Sequence, residues 1–64
     1  MPFTLEELKA ICSEALYSLG GEPARSLSNA TVASLINTAL AEYSPMEGAR
    51  SLYRAMSNQL VDLL

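Results

Sequence analysis

Sixty-four residues make one domain with a marginal core, because a chain this short buries only about 60% of the surface its unfolded form exposes. An intramolecular disulfide is excluded, since Cys12 is the only cysteine, and with no histidine a structural zinc site has almost no ligands to draw on. A net charge of −3 with four basic residues offers no field to attract phosphate, so nucleic acid and anionic membranes are poor candidate partners.

Hydrophobic residues make up 50% of the chain, which argues for a folded globule rather than disorder. Leucine, alanine and methionine dominate, and these are strong helix formers, whereas β-branched valine and isoleucine occur only at Ile11, Val32, Ile36 and Val61. The expected fold class is all-α: a single helical domain over residues 1–64, a compact three-helix bundle with helices at about 5–19, 29–43 and 45–63. Small size leaves open that oligomerisation completes the bundle. The start Met1-Pro2-Phe3-Thr4 lacks the basic and apolar segments of a signal peptide, and no apolar run approaches the ~20 residues of a membrane span, so a cytoplasmic setting is expected.

The first helix is announced by Thr4 and Glu7, which read as a capping box, with Phe3 placed to pack on Leu8 as a hydrophobic staple. Leu5, Leu8, Ile11, Cys12, Ala15, Leu16 and Leu19 recur at helical spacing on one face. Gly20-Gly21 followed by Pro23 ends that helix, and residues 20–27 read as a loop. Ser28 is the best N-cap for the second helix, with Leu27 and Val32 in staple positions and Ser26 as a competitor. Val32, Leu35, Ile36, Ala39, Leu40 and Tyr43 form its apolar stripe. Ser44-Pro45-Met46-Glu47 reads as a serine cap, a proline at the first helical position and a glutamate closing the box, so the third helix is expected to begin at Pro45. Its stripe is Met46, Ala49, Tyr53, Met56, Leu60 and Leu63, widened by Leu52 and Leu64.

Nothing in the sequence assembles catalytic chemistry. The commonest general base is missing, and Glu6, Glu7 and Glu14 fall on the outer side of the first helix without a pocket to shift them. Cys12 lies inside an apolar stripe with no basic neighbour, which suits a small buried hydrophobe better than a reactive thiol. Gly20-Gly21-Glu22-Pro23 follows a helix and carries neither a dinucleotide fingerprint nor a P-loop lysine. No enzyme activity, cofactor or metal is expected.

Two surfaces remain. Arg50 and Arg54 stand one turn apart on the solvent side of the third helix, a small positive spot that could receive a partner's carboxylate, with Glu47 expected to pair with Arg50. Opposite the stripe of the second helix stand Ala30, Ser34, Asn37, Thr38 and Ala41, and no charge appears between Arg25 and Glu42. A solvated helix face ordinarily carries Lys and Glu, so this side reads as a contact surface. The expected function is therefore a non-enzymatic interaction or assembly module, either self-associating or docking on a larger protein as an inhibitor, adaptor or minor structural component. The alternative is a small helix-turn-helix transcription regulator using the second and third helices. Against it stands the acidic opening Pro45-Met46-Glu47-Gly48 of its would-be recognition helix.

Overall fold

Three α-helices follow one another in a computed structural model of the chain: α1 (Leu5–Arg25), α2 (Asn29–Glu42) and α3 (Ala49–Leu63). The structure describes residues 3–63, so the Leu64 end of the expected stripe and the Met1-Pro2 start lie outside it. No strand occurs among the described residues, and no helix there is long and apolar enough to cross a membrane.

The N-terminal caps of α1 and α2 are those the sequence specifies. The Thr4 N–H donates to Glu7 Oε1 at 2.9 Å and the Glu7 N–H donates to Thr4 Oγ1 at 3.2 Å, so both halves of the capping box form. Ser28 Oγ accepts from the Thr31 N–H at 3.2 Å and caps α2. Phe3 is 40% exposed, and its Cε2 lies 3.5 Å from the position a side chain on Gly48 would occupy, so the ring sits over the α2–α3 turn.

Two boundaries differ from the sequence reading, each because of a glycine. At Gly21 the backbone takes φ 61 and ψ −145, which breaks the helical path but does not end the helical segment. Pro23 then presets a helical φ, and residues 22–25 wind one further turn instead of forming a loop. That turn has a packing reason: Ala24 on it is buried, and Leu27 beyond it packs against the core.

The second correction concerns α3, which begins at Ala49 rather than Pro45. Gly48 has φ 68, so a helix cannot run through it, and Pro45–Gly48 form a turn. The Glu47 and Gly48 N–H groups both donate to the Ser44 carbonyl at 3.1 Å, and the Leu52 N–H donates to the Gly48 carbonyl at 3.2 Å. The expected Ser44–Glu47 box does not form. Met46, expected in the core, projects from the turn at 98% exposure.

The core consists of Cys12, Ala15, Leu16 and Ala24 from α1, Leu35 and Ala39 from α2, and Leu52, Ala55, Met56 and Leu60 from α3. Leu8, Ile11, Val32, Ile36, Leu40, Tyr43 and Tyr53 pack around it, half-buried. At the ends of the stripes Leu5, Leu19 and Leu63 stay about half exposed. α3 is the central helix, packing closely on both α1 and α2, whereas α1 and α2 touch each other least. The radius of gyration is 10.9 Å, against about 11 Å for a compact chain of this length. The helices thus close on one another within a single chain.

Candidate functional site

α2 differs from its neighbours in how few of its residues are fully buried. Its sequence from Asn29 to Glu42 contains a single charged residue, Glu42, yet only Leu35 and Ala39 are buried; α1 and α3 each bury five residues. A surface helix normally carries charged and polar residues opposite its apolar stripe. Opposite the stripe of α2 stand only small and uncharged residues.

On the open side Ala30, Ser34, Asn37 and Ala41 are exposed, and Thr38 is half-buried. The Thr38 hydroxyl donates to the Ser34 carbonyl at 2.9 Å, one turn back on its own helix. The Ser34 and Asn37 side chains there offer adaptable hydrogen-bonding groups.

Beside this face, where α1 and α2 pack least closely, lies an open groove of about 360 Å³ lined by Lys9, Asn29, Val32, Ala33, Ile36 and Asn37. Val32, Ala33 and Ile36 give it apolar walls, Asn29 and Asn37 a polar edge, and Lys9 its only charge. Asn37 belongs to both groove and open face, so the two form one surface. The sequence reading missed Lys9, Asn29, Val32, Ala33 and Ile36 as site residues. Ala33 was the available signal, a small side chain between Val32 and Ile36 that leaves volume unfilled.

Arg50 and Arg54 are exposed on α3, as expected, but no hydrogen bond or ion pair among the described residues joins them to the α2 surface. Glu47 pairs with Arg54, at 3.5 Å, and not with Arg50, because the turn ending at Gly48 carries the carboxylate away from the first turn of α3. This pair is largely solvated and contributes little to stability.

All seven carboxylate side chains are exposed, and among the described residues no group of three or more Cys, Asp or Glu side chains could hold a metal ion. Cys12 is fully buried, and burial pushes its thiol up from the usual range, which disfavours the thiolate. Tyr53 is shifted in the same direction by partial burial and by the Glu14 carboxylate that its hydroxyl faces, with Ser18 opposing. It links α3 to the outer flank of α1. No protein-family model, no curated protein and no solved structure matches this chain.

Proposed function

We propose that this protein is a non-enzymatic interaction or assembly module whose contact surface is the open side of α2 together with the α1–α2 groove. One observation carries the reading: the helix with the fewest charges is also the one with the fewest fully buried residues. A face lacking Lys and Glu is poorly adapted to water, and small side chains let another backbone approach closely while Ser34 and Asn37 supply hydrogen bonds. The reading places function in what is bound, in a reducing compartment such as the cytoplasm where a lone thiol persists.

The test compares the wild-type protein with Ser34→Glu and Ala41→Arg as bait in an extract of the native host, with circular dichroism as the folding control. Both positions are exposed, so helicity should be unchanged. The reading expects the wild type to retain itself or a defined partner and both variants to lose it. Retention of the same species at the same level by all three would exclude this surface.

A further inference from the structure

The α1–α2 groove is a largely apolar recess, and the same chain carries an exposed apolar projection. Met46 is 98% exposed at the tip of the α2–α3 turn. The turn is ordered, because the Ser44 carbonyl accepts from two of its N–H groups and the Ser44 N–H is held by Ser51 Oγ at 2.7 Å. Methionine is flexible and polarisable, suited to filling an irregular apolar recess such as the one between Val32, Ala33 and Ile36. The charges match as well. The recess has one charge, Lys9, and the residue after Met46 is Glu47, whose exposed pairing with Arg54 leaves it free to meet a second cation.

We propose that a second copy of this chain inserts Met46 into the α1–α2 groove, with its Glu47 meeting Lys9, and that repetition of this contact gives head-to-tail assembly. Projection and recess lie on different parts of the surface, since within one molecule Met46 touches almost nothing. The contact is therefore heterologous, and each added copy presents a fresh projection and a fresh recess, so it extends into a filament or closes as a ring. An anchor side chain in a desolvated pocket is the usual centre of such an interface. The proposal rests on the reading of the α2 surface as a contact surface and names its occupant.

Sedimentation velocity over a concentration series tests it with the full chain, using Met46→Glu to remove the projection and Ala33→Arg to fill the recess, both at exposed positions. The wild-type mass should rise with concentration past the dimer. Each variant alone should associate at least about tenfold more weakly. An equimolar mixture of the two should form a 1:1 pair and nothing larger, because it holds one intact recess and one intact projection per pair. Lys9→Glu should weaken assembly by a few-fold, and adding Glu47→Lys should recover it. A wild type monomeric to about millimolar concentration, variants that assemble like the wild type, or a mixture no better than its components would each overturn the proposal. A host partner lost by Ser34→Glu but kept by Met46→Glu would exclude the second copy as occupant while leaving the contact surface standing.

Discussion

The Ser44 backbone N–H donates to the side-chain oxygen of Ser51 across 2.7 Å, tying the end of α2 to the first turn of α3. Ser51 is the only buried polar side chain among the described residues, and this bond satisfies it. The turn that presents Met46 is therefore closed by three hydrogen bonds: two that the Ser44 carbonyl accepts from within the turn and one that the Ser44 N–H donates beyond it. Ser51→Ala should leave a part-buried N–H without a partner, at a cost of about 1–3 kcal/mol. In a domain this small that is a fall in melting temperature of roughly 4–8 °C per kcal/mol, readable by circular dichroism. A melt indistinguishable from wild type would mean that water replaces the bond at no cost.

Gly21→Ala separates two descriptions of α1 by the sign of its effect. Were α1 continuous, alanine would stabilise it by roughly 1 kcal/mol. With φ 61 and ψ −145 at Gly21, a side chain meets no obstacle closer than Pro23 Cδ at 4.0 Å, yet the backbone conformation is one that only glycine adopts readily. Destabilisation of about 1–3 kcal/mol is expected in denaturant titrations.

Leu40 and Leu60 look equivalent as stripe residues in the sequence, and the structure separates them. Leu60 is 5% exposed within the core, whereas Leu40 is half-buried at its margin. Leu60→Ala should cost about 2–5 kcal/mol, enough to unfold much of the population, with Leu40→Ala costing less. Thermal melts of the two variants check the order.

Much of this was legible from residues 4–7, 28–32 and 35–40, where caps and helical periodicity agree with the packing that follows. The errors sit at Gly21 and Gly48. Local chemistry at Ser44-Pro45-Met46-Glu47 satisfies every rule for a helix start, but Gly48 takes φ 68 and the helix that buries Leu52, Ala55 and Met56 begins only after it. The charge-free face of α2 could be read directly, because it needs only the angular position of each residue. The groove could not, because it depends on how far apart α1 and α2 stand.

The capping box predicts a pH dependence. Hydrogen bonding to the Thr4 backbone N–H and side chain holds the Glu7 carboxyl below its ordinary value of 4.5. A group with a lowered folded-state value stabilises the fold above its unfolded value and loses that contribution as the pH falls through the folded one. Thermal stability of the wild type should therefore exceed that of Glu7→Ala near neutrality, with the part owed to Glu7 ionisation fading as the pH drops below about 4.5. A gap that stays constant into acid would assign the whole effect to neutral hydrogen bonding.

The account depends most on α2 being the surface that meets a partner, and chemical-shift mapping tests that directly. The isotope-labelled protein is titrated with unlabelled copies of itself and then with host extract. The account predicts changes concentrated on Lys9, Val32, Ala33, Ser34, Ile36, Asn37 and Ala41, joined by Met46 and Glu47 when the addition is a second copy, with Arg50 on α3 unaffected. Changes confined to the outer face of α3, or no change from either addition, would contradict it.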